Sequence, residues 1–586
     1  MRKKKIDRKA SALPEFSQKK SLIDLKYLIA ILFFVFCFLL YKNISYPLLW
    51  NDESDTAMTA TQVLKYGYPK VHDEKNIIFL PDDPSWIGYK KSYDMNIART
   101  WGDFYFATIG VALAEHVDDI YLKSALVRIP FATAGLAGLI IFVVGFRRIF
   151  NNKSSYEKFV AAFILIELCS VALFLHIRTV RYYALLIFIT ACFFYVFIQY
   201  FLNNRYSFKK YLILMILVLF FAYQINFVAF PSFCLTIGIY EAFQRAFNIF
   251  GDRKDKKNLF FETWRQLKIT FKNLSPMLIA VVLISPFVLF FETFENAAKA
   301  TAYYGLDFHR YLENLKRIVL IFKVQEFFYA AVFVKTLQLI IWYAKRKEQK
   351  RNQKESLQEI NLEKLSFFMT LFFICFSLMV AKMPLLWERY FIVLQPIMIL
   401  ILLTDTIIIF NYISSHVQKT NAKFMRLAFT IALIISFSIN SEAKINYCKS
   451  YFYQITHQYK GPLDYLIPYI KANYKHPDSL VIATNYEELS YIYYLGCRVT
   501  IGYINKNIQE DLKYQPDIVI FRKKWGHNPQ YFNQLVQKAQ YKRVLFPVFD
   551  YPVNDIAELD YFIQHQFKTR LTDVEADKSE ILIRIK

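Results

Sequence analysis

Eleven apolar runs alternate with loops that themselves alternate in charge, and this pattern restricts the fold more than any other feature. The runs cover 27–41, 127–146, 159–176, 182–202, 211–223, 225–240, 275–292, 327–344, 365–381, 390–412 and 427–440. A helix crosses the hydrocarbon of a bilayer with ~20 apolar residues. Several runs are shorter, and 27–41 reaches across only if Lys26 and Lys42 snorkel to the two interfaces. Alternate loops (1–26, 147–158, 203–210, 242–274, 345–364 and 413–426) hold 34 Lys/Arg against 11 Asp/Glu. The first loop on the other side, 43–126, holds 7 Lys/Arg against 12 Asp/Glu. This asymmetry is the positive-inside signature. It puts 1–26 in the cytoplasm, 43–126 outside, and everything from 441 outside after eleven crossings. The net charge of +24 belongs to these loops, so no nucleic-acid partner is expected.

Composition agrees. Of 586 residues, 55% are hydrophobic, and a mean hydropathy of +0.23 means that most of the chain does not face water. Neither G-x-G-x-x-G nor G-x-x-x-x-G-K-[ST] occurs, which argues against a cytosolic nucleotide-dependent enzyme. There is no C-x-x-C, so no zinc ribbon or thioredoxin-like site is indicated. Cys448 and Cys497 lie outside the apolar runs, and a disulfide between them is open if that region is extracytoplasmic. The first run has a long basic lead and no A-x-A site after Tyr41, so it reads as a permanent span rather than a signal peptide. Tyr223-Gln224-Ile225-Asn226 interrupts 211–240, and counting two spans there keeps the later basic loops in alternation. After residue 440 the pattern changes. Stretches 479–484, 498–503, 517–522 and 543–548 read as strands, and 486–495 reads as a helix. The expected architecture is a polytopic α-helical membrane protein of about eleven spans, N-in and C-out, with a C-terminal extracytoplasmic α/β domain. Its parts are a cytoplasmic basic N-terminus (1–26), a transmembrane region (27–440) and the α/β domain (441–586).

The first outer loop opens with Leu49-Trp50-Asn51-Asp52-Glu53-Ser54-Asp55, three carboxylates in four residues just beyond the first span. A carboxylate at the lip of the bilayer is well placed as a general base for a water-soluble or headgroup acceptor. If the segment is helical, Asp52 and Asp55 share a face and Glu53 points elsewhere. The same residues also read as a helix N-terminus, with Asn51 or Asp52 capping and acids in the first turn. Two other outer turns carry cations against the prevailing trend: Arg178 and Arg181 in 176–183, and Lys382 and Arg389 in 382–391. Arginines there either snorkel to headgroups or pair with Glu388, or they clamp a phosphate, for which the guanidinium fork is suited. Carboxylate and guanidiniums on one face of one membrane point to a lipid phosphate presented at the outer leaflet.

At this point the sequence resembles polyprenyl-phosphate-sugar-dependent glycosyltransferases of the GT-C type, nearest to bacterial protein mannosyltransferase-like and lipid A aminoarabinose transferase-like enzymes. The resemblance is carried by Asp52-Glu53 after Trp50 and before Ala57 and Gly67-Tyr-Pro69. It extends to Val127-Arg128-Ile129-Pro130, Arg178/Arg181-Tyr182, Arg389-Tyr390-Phe391 with Pro396, and Tyr493-Tyr494-Leu495-Gly496-Cys497-Arg498-Val499. Where such enzymes often carry a Lys-Pro-Pro-Leu-like element, this chain has Lys90-Lys91-Ser-Tyr93-Asp94-Met-Asn96. The resemblance implies a cell-envelope enzyme of the inner (plasma) membrane that moves a sugar from a polyprenyl-phosphate donor to a glycolipid, glycan or protein acceptor outside. It implies inversion, with Asp52 and Glu53 as the catalytic pair and Asp52 as base. Arg178, Arg181, Arg389, Lys382 and Tyr390 would bind the donor phosphate, with Asp55, Lys90 and Lys91 as further candidates. No D-x-D motif is present, and neither a metal nor a cofactor is expected beyond the lipid-linked substrate.

The rival reading is a transporter or flippase, flagged by the intramembrane acids Glu167 and Asp405. The chain shows no repeated pair of halves to support it. The tail is expected to cap the site and help place the acceptor, and 293–326 reads as a solvated connector or, alternatively, a mobile lid. The assigned topology predicts that a cysteine substituted for His116 reacts with a membrane-impermeant maleimide in intact cells, on a cysteine-free background. A cysteine substituted for Arg205 should react only after permeabilisation, and the reverse pattern would invert the assignment.

Overall fold

The computed structural model describes residues 24–78, 88–251, 259–349, 357–383, 386–503, 507–523, 525–550 and 568–585. Residues 1–23 of the expected cytoplasmic N-terminus lie outside these ranges, as do Pro384 and Leu385 of the second cationic turn.

Each predicted apolar run is helical over most of its length. The chain begins with α1 (Leu25–Tyr41), and the acidic stretch forms α2 (Asn51–Tyr66). A two-stranded ribbon of β1 (Tyr89–Lys90) and β2 (Met95–Asn96) follows, then α3 (Gly102–Ala114), α4 (Ile120–Phe146), α5 (Lys153–Leu168) and α6 (Val171–Ile177). Next come α7 (Tyr183–Phe197), prolonged by a π-helical turn to Leu202, α8 (Phe208–Ile225), α9 (Ala229–Gly251) and α10 (Leu259–Phe290). The bundle finishes with α11 (Thr293–Tyr304), α12 (Phe308–Gln325), α13 (Phe328–Gln349), α14 (Leu357–Val380), α15 (Leu394–His416) and α16 (Lys419–Ser438).

Among the described residues, seven helices are long and apolar enough to cross a membrane, against the eleven runs predicted. They are α4, α7 with its π extension, α8, α10, α14, α15 and α16. The shortfall has physical causes. Run 159–176 is not one straight span: α5 and α6 meet at an 81° bend, and joining them would raise the count to eight. The first helix has only 17 residues. Glu241 and Arg245 dilute α9, and Lys335, Lys345 and Arg346 dilute α13. The interruption at 223–226 does separate two helices. Loop 293–326 is not a bare connector but the two helices α11 and α12.

The most extensive helix pairing joins α4 and α7. It depends on Gly138, because a Cβ there would sit 2.9 Å from Phe188 Cα. Much of the phenylalanine content packs between helices rather than against lipid. Phe193, Phe194 and Phe197 of α7 meet Phe233 of α9 and Phe368 and Phe372 of α14, with the Phe197 and Phe368 rings stacked 3.5 Å apart. Against lipid as the alternative, these rings gain close packing and ring–ring geometry rather than a transfer out of water.

The tail opens with α17 (Ser441–Thr456) and α18 (Leu463–Asn473) and then builds a five-stranded sheet. Its sequence elements are β3 (Val481–Thr484), α19 (Glu488–Leu495), β4 (Arg498–Thr500), α20 (Ile508–Tyr514), β5 (Ile518–Ile520), α21 (Pro529–Gln537), β6 (Tyr541–Phe549) and β7 (Lys578–Arg584). The spatial order is β4-β3-β5-β7-β6. The first three strands are parallel, and β7 runs antiparallel between β5 and β6. Four of these strands were expected from the sequence; β7 was not. The Cys448–Cys497 disulfide is absent: the Cys448 thiol lies 3.5 Å from the Cys169 carbonyl, and Cys497 is buried against Tyr491.

Replacing Gly138 with Val should push α4 off α7 and cost about 1–3 kcal/mol, as overpacking does. The measurement is the thermal midpoint of the purified protein in detergent, which should fall; an unchanged midpoint would show that the two backbones do not touch.

Candidate active site

Helix α2 starts directly at the acidic stretch. Trp50 takes the cap position and no side chain caps the helix, so neither Asn51 nor Asp52 serves as the predicted cap. The far end closes at Gly67, whose φ of +81° lets its N–H reach back to Val63 O at 2.8 Å. Asp52 and Asp55, one turn apart, face the same way, and Glu53 faces another. This division, expected from helical spacing, separates two clusters of charge.

The first cluster is half-open. Asp52 Oδ2 lies 3.3 Å from an Arg389 terminal nitrogen and 3.6 Å from one of Arg181. Arg181 also donates to Asp55 Oδ2 at 3.1 Å and to the Asp52 carbonyl at 3.2 Å. Arg99 donates to the same Asp55 oxygen at 2.9 Å and to Thr56 Oγ1 at 3.3 Å. Arg99 lies 3.6 Å from Asp103, which is 1% exposed. Burial pushes the Asp103 carboxyl above its usual range, and the guanidiniums of Arg99 and Arg181 act against that shift. The Arg389 guanidinium lies among the rings of Trp387 (4.6 Å), Trp50 (5.1 Å) and Tyr390 (5.8 Å). Tyr182 and Tyr183 are buried beside Arg181.

Local structure explains why these guanidiniums converge. Arg181 directly precedes α7, and Arg389 sits in a 3₁₀ turn, Glu388–Phe391, just ahead of α15. Backbone N–H groups at helix starts disfavour a cation and favour an anion. The carboxylates of α2 answer the guanidiniums themselves: Asp52 lies near Arg181 and Arg389, and Asp55 near Arg181. Glu388 accepts from Tyr451 at 2.7 Å and lies 3.2 Å from His176 Nε2, while Arg389 reaches Asp52.

The second cluster is fully buried and structural. Glu53 forms a two-point ion pair with Arg128 and accepts from Val180 N at 2.9 Å. Arg128 also donates to Ile44 O at 2.9 Å and Pro47 O at 2.6 Å. Glu53 has 0% exposure, and both of its carboxylate oxygens are engaged by Arg128, on the side of α2 away from Asp52. Arg178 donates to Lys42 O at 3.0 Å and lines a separate cavity of about 30 Å³ with Glu53, Arg128 and His176, about the room one water takes.

The remaining candidates are dispersed. Lys382 and Lys91 are exposed, and neither forms a hydrogen bond or ion pair with the Asp52 cluster. Lys90 lies 3.6 Å from Glu292 and over the Phe290 ring. Asp405, flagged as an intramembrane acid, pairs with Lys335 at 2.8 Å and accepts from Ser366 at 2.5 Å. Glu167 is buried at the α5–α6 bend near Gln395 and Glu326. No group of three or more His, Cys, Asp or Glu among the described residues could hold a metal ion. Sequence reasoning missed Arg99, although it is the sole arginine in the net-negative loop 43–126 and that isolation was a usable signal.

An open apolar groove of about 1420 Å³ runs beside the Asp52 cluster, between α3, α4, α7, α8 and α10. It begins at Trp101 and Gly102, between Arg99 and Asp103 in the chain, and at Leu185 in the first turn of α7. Further along, Phe188, Phe221 and Phe287 line it, and Phe221 is 49% exposed, so the groove opens sideways from the bundle. On the other flank of α2 the tail docks. Ser54 Oγ and Ser490 Oγ lie 2.7 Å apart, and Tyr494 OH accepts from Leu49 N at 2.8 Å and sits 2.6 Å from Ser124 Oγ.

The two clusters should answer differently to mutation. Glu53→Gln or Arg128→Met leaves one buried charge unpaired and should cost about 3–5 kcal/mol, read as lost yield and a lowered thermal midpoint in detergent. Asp52→Asn, on the half-open face, should fold normally. Equal stability of all three variants would contradict the division.

In comparisons with solved structures, the chain is similar to ArnT from Cupriavidus metallidurans. The apo state has a TM-score of 0.49 at 10% sequence identity, covering 95% of this chain and 98% of that one. The crystal structure of the same protein bound to undecaprenyl phosphate has a TM-score of 0.45 at 10% identity, with coverage of 95% and 98%. No protein-family model matches the chain, and no curated protein matches it.

Proposed function

We propose that the chain is a membrane glycosyltransferase that takes a sugar from a polyprenyl-phosphate donor and passes it to an acceptor on the outer face, with inversion. The observation that carries this reading is Asp52 Oδ2 facing two guanidiniums, Arg389 at 3.3 Å and Arg181 at 3.6 Å, beside an open apolar groove. A polyprenyl tail is apolar and long, and its head is a phosphate. The groove suits the first, and Arg181 and Arg389 suit the second.

In this mechanism the donor phosphate occupies the space before Arg181 and Arg389 and becomes their new anionic partner. Asp52 is then released to accept a proton. The acceptor hydroxyl or amine attacks the anomeric carbon from the face opposite the phosphate, and the bond from that carbon to the phosphate oxygen breaks. The acceptor's proton passes to Asp52, and polyprenyl phosphate leaves with the electron pair. A phosphate leaving group is weakly basic and calls for charge stabilisation more than protonation. Asp55 and Arg99 hold Arg181 in place, and Tyr390 closes the aromatic wall around Arg389. The acceptor class, a glycolipid, glycan or protein of the envelope, follows from the outward placement of the site in this reading.

The test is mass spectrometry of envelope glycolipids and glycoproteins from cells with the chain, without it, and with Asp52→Asn. The variant should reach the membrane at normal abundance and lose transfer by about 10²–10⁴-fold, the usual contribution of a positioned base. Arg181→Gln should raise the KM for the donor as well as lower the rate. Full transfer by Asp52→Asn would remove Asp52 from the base role. If Glu167→Gln alone disabled the protein, the transporter reading would replace this one.

A further inference from the structure

A second cavity, of about 450 Å³, lies between α9, α13 and α14. It sits at the opposite end of the bundle from Asp52. Asn361, at the start of α14, donates to Leu202 O, at the end of the π turn that prolongs α7. Leu202 is 19 residues beyond Tyr183, so at ~1.5 Å per residue the cavity is about 28 Å from the Arg181 end of that helix.

The lining is amphipathic. Phe243, Leu339 and Ile374 form apolar walls, and their own exposures of 42%, 53% and 49% show that the cavity opens on the side of the bundle. Four cationic side chains also line it: Lys335, Lys345, Arg346 and Lys364. Two are neutralised locally, Lys335 by Asp405 at 2.8 Å and Lys345 by Glu363 at 2.9 Å. Arg346 lies over the Trp342 ring at 3.8 Å. Lys364 has no carboxylate within ion-pair distance among the described residues, and its cationic neighbour Arg245 is itself paired with Glu241 at 3.0 Å. A half-buried ammonium with no carboxylate partner, lining an apolar crevice, suits an anion attached to a hydrocarbon chain.

We propose that this cavity binds an anionic phospholipid of the leaflet opposite the Asp52 site, with its phosphate at Lys364 and an acyl chain along Leu339, Phe367, Leu371 and Ile374. Charge complementarity selects an anionic over a zwitterionic headgroup. The apolar wall selects a lipid over free phosphate. Nothing in the glycosyl-transfer reading is required for it.

The experiment is native mass spectrometry of the full-length protein, delipidated in detergent and titrated with phosphatidylglycerol or phosphatidylethanolamine. Wild type should retain phosphatidylglycerol preferentially. Lys364→Gln should weaken that retention about fivefold, the effect of removing one basic side chain at an anionic headgroup. Lys364→Arg should restore it, and Asp52→Asn should leave it unchanged. Equal retention of the two lipids by wild type would overturn the proposal. So would wild-type retention by Lys364→Gln, or displacement of the lipid by millimolar inorganic phosphate.

Discussion

The ion pair between Glu53 and Arg128 holds the α2 end of the bundle together. Burying two charges costs several kcal/mol each, and the cost is offset only when every remaining donor and acceptor is used. Here Arg128 also serves the carbonyls of Ile44 and Pro47, and Glu53 also takes the N–H of Val180. One pair therefore joins the exit from α1, the first turn of α2, the body of α4 and the turn leading into α7. Because Glu53 is clamped, its neighbour Asp52 can only face the other way. The position of the exposed acid is a consequence of the position of the buried one.

Around Asp52 the charges alternate: Arg389, Asp52, Arg181, Asp55, Arg99, Asp103. Such a chain is satisfied yet poised. Each guanidinium has more donors than a single carboxylate can use, and two of them sit just ahead of helix starts that favour an anion. An arriving phosphate would exchange partners within the chain rather than bring in an uncompensated charge. The apolar groove beside it lacks any comparable demand for polar groups, so a ligand with a charged head and a hydrocarbon tail matches both. The aromatic walls at Trp50, Trp387 and Tyr390 keep Arg389 in place without neutralising it.

The second cavity repeats the combination of cations and apolar wall at the other end of the bundle, without a carboxylate positioned as Asp52 is. There the unanswered charge is Lys364, and the surroundings suit binding rather than chemistry.

Much of this organisation was legible in the sequence. Apolar runs made helices because a helix alone satisfies its own backbone in lipid. Asp52 and Asp55 share a face, and Glu53 leaves it, because helical spacing requires it. The strands of the tail around 481, 498, 518 and 543 followed from their β-branched alternation. What only the tertiary structure decided was partner choice. Glu53 and Arg128 are 75 residues apart, Asp52 and Arg389 are 337 apart, and no local pattern selects Arg181 and Arg389 for Asp52 while sending Arg178 to the Lys42 carbonyl. The bend between α5 and α6, the edge-to-centre placement of β7 and the closing of Lys335 on Asp405 have the same origin. Periodicity is a property of neighbours along the chain, whereas ion pairs and cavities are set by where distant helices come to rest.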